Sequence, residues 1–283
     1  MIIDFHTHIF QPEAGARAGE YLADKNFASL YSNPSARIVD ADALFAAMTD
    51  SGIDAAAAMG FPWLTEKLCR GQNEYFAGVQ RRFAGKIFCF GSIPLQCGAS
   101  AALKGAAREI RAFGLAGIGE AAFYGGFDHS AQAYLHLLLE AAEETGLILC
   151  LHVNEPVGHA YPGKYEPSLG ALYKVLVEHK AAAVVLAHWG GGLVFYELMP
   201  EVKEALGNVY YDSAASPYLY NEEIFAHAVS IAGPERILFG SDYPLLRFER
   251  YLEQIKNTVK DKKHYDAVCG GNAARLLKIE IVS

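Results

Sequence analysis

Short aliphatic and β-branched runs recur along the chain, each followed by a longer stretch whose apolar positions return every third or fourth residue. The short runs read as buried strands, and the longer periodic stretches as helices with one face toward a core. Strands are predicted over 1–8, 53–61, 86–94, 115–120, 147–153, 182–188, 209–213 and 236–242. Helices are predicted over 40–52, 71–85, 100–114, 130–146, 168–180, 194–207, 221–233 and from 248 onward. In 130–146, Leu135, Leu138, Leu139 and Ala142 take the i, i+3, i+4, i+7 spacing of a single buried face. Gly52, Gly85, Gly114, Gly146, Gly207 and Gly233 close helical stretches and are predicted to end them in the left-handed conformation. Gly270-Gly271-Asn272 reads as a glycine turn and an Asn cap before a last short helix.

Eight strand–helix alternations predict an α/β fold, a closed (β/α)8 TIM barrel formed by residues 1–283 as one domain. A doubly wound open sheet is the runner-up, but it usually carries a glycine-rich phosphate turn after its first strand. That place holds His6-Thr7-His8. The connections 9–39, 154–167 and 214–220 are long, and in a barrel such loops sit on the face where active sites are built.

Composition narrows the function classes. With 52% hydrophobic and 20% charged residues the chain is too apolar for disorder. A formal net charge of −8 argues against wholesale nucleic-acid binding and leaves room for a small anionic substrate, which feels only local fields. No stretch approaches the ~20 apolar residues that cross a membrane, and the first residues lack the features of a signal peptide. The five cysteines, Cys69, Cys89, Cys97, Cys150 and Cys269, show no paired spacing, which favours reduced thiols and a cytoplasmic setting. Nothing in the composition argues against a homo-oligomer.

The candidate chemistry lies at the strand ends. His6 and His8 end the first predicted strand, Glu120 the fourth, His152 the fifth, His188 the sixth and Asp242 the eighth. A barrel brings these tips to one mouth. Simple alternation puts Asp4, His6 and His8 on one face of the first strand and Phe5 and Thr7 on the other, with Asp4 an anchor beneath the histidines. Neutral imidazole and carboxylate donors suit a divalent ion, Zn²⁺ foremost, with Mn²⁺ or Fe²⁺ as alternatives. One ion or two would fit. An ion with an open position lowers the pKa of its bound water to about 7, and a neighbouring carboxylate can move the proton. Glu120 has a structural alternative, an ion pair at the mouth with Lys164 or an arginine. In the loop after the fifth strand, His159, Tyr161 and Lys164 could meet a substrate carboxylate or phosphate, with Arg37, Trp63, Tyr218, Tyr243 and Arg247 as further rim candidates. His129, His136, His179, His227 and His264 fall on predicted helices or helix starts and read as surface or packing residues. The glycines after Trp189 suit either a close backbone approach to substrate or turn packing.

Taken together, Asp4-Phe5-His6-Thr7-His8, Gly117-Ile118-Gly119-Glu120, Leu151-His152-Val153-Asn154-Glu155-Pro156, Ala187-His188-Trp189-Gly190-Gly191-Gly192 and Phe239-Gly240-Ser241-Asp242-Tyr243-Pro244 resemble the amidohydrolase superfamily. The closest likeness is to its amidohydrolase-2 branch, which also contains aminocarboxymuconate-semialdehyde decarboxylase-like enzymes. It extends to Asn272-Ala273-Ala274-Arg275-Leu276. The resemblance implies metal ligation by His6, His8, His152 and Asp242, with His188 a second-metal ligand or a base. Glu120 departs from the single-zinc decarboxylase pattern and looks more like the bridging carboxylate of two-metal relatives such as the TatD-like hydrolases. The expectation is therefore a metal-dependent hydrolase of a small ester, amide, lactone or related bond, with Asp242 as general acid/base and His188 assisting. The alternative is a zinc-dependent non-oxidative decarboxylase of a small unsaturated or aromatic acid, using one metal and drawing its proton from His188 and Asp242. A catalytically silent barrel would lack a ligand, and none is missing.

Overall fold

The computed structural model describes residues 1–16, 19–94 and 100–279. Its strands are β1 (Ile3–His8), β2 (Ala55–Met59), β3 (Ile87–Gly91), β4 (Gly117–Ala121), β5 (Ile148–Leu151), β6 (Val184–Leu186), β7 (Val209–Asp212) and β8 (Ile237–Leu238). They pair in sequence order, each parallel to the next. The ring closes between β1 and the chain just past β8. Phe5 N donates to Phe239 O at 2.7 Å, Asp242 N to His6 O at 2.8 Å and His8 N to Tyr243 O at 2.7 Å. The predicted (β/α)8 barrel is thus the architecture found. Regular β8 is short because the chain turns within the predicted run, with Asp242 at φ 64°.

Capping explains where the outer helices begin and end. Asp40 accepts from Ala43 N and Asp128 from Ala131 N, opening the helices Ala41–Ser51 and His129–Thr145. Gly52 (φ 68°) and Gly146 (φ 66°) close them as expected. Two expectations fail locally. The helix Glu66–Arg82 starts before residue 71, because Thr65 caps it through Leu68 N. The stretch 194–207 is a 3-10 winding, His188–Leu198, followed by a short helix, Pro200–Ala205, that ends at Leu206 with Gly207 outside the left-handed region. Pro200 removes the amide that a continuous helix would need.

Hydrophobic side chains fill two layers. Between strands and helices lies the larger core, which includes Leu135, Leu138, Leu139 and Ala142 as their spacing implied. Inside the ring, Ile3, Phe5, Met59, Phe90, Cys150, Val185 and Leu238 pack with Ala273, Ala274 and Leu277 of the last helix, Asn272–Leu277. That helix plugs the barrel floor. Gly270 permits the approach, since a Cβ there would stand 2.5 Å from Met1 O. Asn272 is not a cap: Gly271 is already helical, and the Asn272 amide donates to Pro234 O at 2.7 Å and Ile237 O at 2.8 Å. It ties the plug to β8.

The connection 9–39 is not a plain loop. It holds the helices Pro12–Gly15, Gly19–Ala23 and Lys25–Tyr31, and Phe10, Tyr21 and Phe27 pack with Phe61 and Trp63 in a separate cluster. Trp63 is wholly buried there, which removes it from the rim. Cys89, Cys150 and Cys269 are free and buried, Cys69 is buried with its thiol donating to Trp63 O, and Cys97 lies outside the described residues.

A buried ion pair holds the outer layer to β7 and β8. Glu197 accepts from Arg236 Nη1 at 2.9 Å and from the Tyr211 hydroxyl at 2.7 Å, and Arg236 also donates to Leu206 O at 2.9 Å. Glu197→Ala strands the guanidinium out of water, so a loss of about 3–5 kcal/mol is expected. In thermal unfolding this reads as a Tm lowered by roughly 5–15 °C. An unchanged Tm would mean the pair adds nothing.

Candidate metal centre

Each predicted tip residue reaches the mouth of the barrel, though not by simple alternation. Between Asp4 and Thr7 the pairing of β1 with β2 slips by one residue. Through this bulge Phe5 points into the barrel interior against Phe90, yet the next residue, His6, also reaches inward to meet Glu120 and Asp212. The expectation that Phe5 lies on the face opposite His6 is therefore corrected. Asp4 anchors the strand instead through backbone: its Oδ1 accepts from His6 N and Ser241 N, both at 3.0 Å. Burial pushes its carboxyl up to about 7 against the lowering pull of hydrogen bonds from Ser241 and His6.

Glu120 sits at the centre of the cluster. Its Oε2 faces one imidazole pair, 3.7 Å from Nε2 of both His6 and His8, which are 3.1 Å from each other. Its Oε1 faces the other pair, 2.9 Å from His152 Nδ1 and 3.5 Å from His188 Nε2, themselves 3.1 Å apart. Asp242 Oδ1 completes the first group, 3.2 Å from His8 Nε2. Two nitrogens each about 2.1 Å from one ion stand roughly 3.0–3.4 Å apart, so both pairs have the spacing of ligands to a common cation. Two triads, His6–His8–Glu120 and Glu120–His152–His188, hold donor atoms all within 4.8 Å of one another. This donor set fits a divalent ion. The ion-pair alternative for Glu120 is not what forms, since the Lys164 ammonium donates instead to Val157 O and His159 O at 2.6 and 3.0 Å.

The charges are mutually set. Burial alone would raise the Glu120 carboxyl, but His152 and His6 hold it well below the ordinary range. Burial likewise opposes ionisation of Asp242, yet the His8 hydrogen bond and the charges of His8, His6 and His188 bring it down to about 2. For His188, burial disfavours the cation, and Glu120, with Asp242 and Asp212, outweighs it and lifts the imidazole to about 9.

Asp212 went unnoticed in the sequence. It ends β7, so the strand-tip rule that points to the other site residues applies to it as well. Its Oδ2 pairs with His6 Nδ1 at 2.8 Å, and its Oδ1 accepts from His188 N and Ala214 N at 3.0 Å. It fixes the His6 ring with Nε2 toward the centre, as a carboxylate behind a metal-binding histidine does. Likewise His188 Nδ1 lies 2.9 Å from Ala214 O, which aims its Nε2 at Glu120. The Asp212→Asn variant is expected to bind its ion about 10- to 100-fold more weakly in a competition titration with a chelator. Unchanged affinity would deny Asp212 this role.

The glycines after Trp189 serve packing. From His188 to Gly192 the backbone stays at φ between 56° and 91°, and a Cβ on Gly191 would stand 2.4 Å from Asn154 O. The walls above the centre are phenolic. Tyr124 lies with its ring 5.6 Å from that of His152, and Tyr165 donates its hydroxyl to His152 O at 3.1 Å. Burial, Asp242 and Glu120 all push the Tyr31 hydroxyl upward. Of the loop candidates, His159 is exposed, Tyr161 donates to Glu155 Oε2 at 3.2 Å and Lys164 closes its own loop. Arg37 lies 5.9 Å from the Tyr243 ring and donates to Pro244 O at 3.3 Å.

The amidohydrolase family profile matches residues 3–279. The chain belongs to the amidohydrolase family. No curated protein matches this amidohydrolase-family chain in sequence. Among solved structures it is similar to 5-carboxyvanillate decarboxylase from Sphingomonas paucimobilis, with 17% identity, a TM-score of 0.73 and 99% of each chain covered. A second likeness is to the enzyme of the same name from Novosphingobium aromaticivorans, bound to manganese and 4-hydroxy-3-methoxy-5-nitrobenzoic acid. Here the identity is 14% and the TM-score 0.76, covering 99% of this chain and 96% of that one. A third is to dihydroxybenzoic acid decarboxylase from Polaromonas, bound to manganese and 2-nitroresorcinol, with 15% identity, a TM-score of 0.72 and coverage of 98% and 97%. These likenesses overturn the expected hydrolase. Glu120 stands where the sequence put it, but the three similar structures named here are decarboxylases, and the hydrolase expected from that one residue is corrected accordingly. Among the described residues no helix is long and apolar enough to cross a membrane.

Proposed function

We propose that this protein is a metal-dependent, non-oxidative decarboxylase of a small aromatic or unsaturated acid, acting as one domain. The observation that carries the reading is the end-to-end likeness of its barrel to decarboxylases of aromatic acids. The donor cluster at the mouth and its phenolic walls agree with it. The ion would be held by His6, His8, His152 and Asp242, with Glu120 beside both imidazole pairs, and Mn²⁺ and Zn²⁺ are the ions to try first. When bound, it supplies positive charge that anchors the acid and offsets the negative charge left as the carbon–carbon bond breaks.

The chain's own residues supply the proton and the fit. His188 offers Nε2, with its Nδ1 turned to Ala214 O, and the carboxylates of Glu120 and Asp242 favour its protonated form. It gives that proton to the carbon that bears the carboxylate, the carbon–carbon bond breaks, and CO2 leaves as a C–H bond forms. Asp242, held ionised, would take a proton from solvent and relay it to His188 after each turnover. Tyr31, Tyr124 and Tyr165 would flank a flat ring and keep water from its face. Tyr161 would border the substrate, with His159 and Lys164 at the entrance meeting an anionic group.

The test is incubation of manganese- or zinc-loaded protein with hydroxybenzoates and 5-carboxyvanillate in D2O. Release of CO2 with one deuterium on the carbon that lost it is expected. No CO2 from any acid overturns the reading. One ion per chain is the expected stoichiometry, and two would make His188 a ligand and remove it as the donor.

A further inference from the structure

Three residues beyond His152, Glu155 is a buried carboxylate with one oxygen unused. Its Oε2 accepts from the Tyr161 hydroxyl at 3.2 Å, and Tyr220 lies against the same carboxylate. Its Oε1 has no hydrogen-bond partner among the described residues, although Glu155 is only 8% exposed. Lys164, the nearest cation in the loop sequence, is taken up by Val157 O and His159 O.

The position is built rather than incidental. The Asn154 side chain donates to Tyr165 O at 2.8 Å and accepts from Tyr165 N at 3.1 Å, locking the segment that carries Glu155. Behind it, Gly191 lies so close to Asn154 O that no side chain would fit between them. Tyr165, held by Asn154, caps His152 O, so the segment carrying Glu155 continues directly from the metal centre on the barrel's mouth. A carboxylate kept from water with an idle oxygen is costly until a donor reaches it.

We infer that Glu155 is a specificity residue that accepts a hydrogen bond from a hydroxyl or amino group on the substrate, away from the end held by the ion. This rests on the reading of the centre as an acid-binding decarboxylase site and adds the chemistry at the substrate's other end. Tyr161 and Tyr220 position the carboxylate, leaving Oε1 for the ligand. An acid lacking a donor leaves that oxygen unpaired and is discriminated against.

The experiment uses metal-loaded protein and two readouts, calorimetric binding and CO2 release. Its probes are benzoate and its 2-, 3- and 4-hydroxy and 2-, 3- and 4-amino derivatives. In the wild type at least one donor-bearing acid is expected to bind on the order of 10- to 100-fold more tightly than benzoate. Glu155→Met, which has no acceptor oxygen there, should erase that preference while leaving benzoate binding and metal content unchanged. Tyr161→Phe, which keeps the carboxylate and removes one of its guides, should reduce the preference partly. Equal binding of all probes by the wild type, or a preference that survives in Glu155→Met, overturns the inference. Binding discrimination without CO2 release keeps the role of Glu155 and overturns the reaction. CO2 release without discrimination does the reverse.

Discussion

Asp242→Asn is expected to lower kcat for decarboxylation by about 10²- to 10⁴-fold, the usual worth of a positioned proton-transfer group. The fold should not change. Asp242 sits at φ 64°, a conformation that Asn tolerates nearly as well as Asp, and its amide still donates to His6 O. What changes is the charge beside His8, 3.2 Å away, and with it the group that returns protons to His188. Steady-state kinetics, with metal content measured on the same sample, separates two routes to the loss. A metal-replete variant with low kcat has lost proton transfer, and a metal-poor one has lost a ligand. A metal-replete variant with near-wild-type kcat would remove Asp242 from the chemistry.

Stripping the ion is expected to abolish turnover, and adding Mn²⁺ or Zn²⁺ back should restore it. The cluster places four imidazoles and the carboxylates of Glu120 and Asp242 around a common space, a grouping that a cation reconciles. Because the ion binds the folded chain alone, at about 100 times its Kd it adds ~2.7 kcal/mol. The stripped protein should therefore melt roughly 5–10 °C lower, recovered on adding the ion back. Full activity in protein shown to be metal-free would end the metal-dependent reading.

The strand tips were legible because parallel strands buried on both faces read as plain apolar runs, and any barrel carries their C-terminal ends to one mouth. His6, His8, Glu120, His152, His188 and Asp242 all lie there. The reaction was not legible in the same way. The hydrolase expectation rests on one residue type at one tip, Glu120, whereas the similar barrels named above are those of decarboxylases. The role of Asp212 depends on a partner 206 residues away, and that of Asn272 on carbonyls 35 and 38 residues away, which no local pattern registers.

The sequence by itself determined the alternation of strands and helices, the helix ends at Gly52 and Gly146, and the set of donors at the mouth. Each of these follows from local periodicity or from a residue's own conformational preference. Only the tertiary structure decided that β1 bulges to aim His6 beside Phe5, that Glu120 divides its oxygens between two imidazole pairs, and that Glu155 is buried with one oxygen idle. Those outcomes are set by where distant segments close on one another, through distances between atoms that the order of residues does not contain.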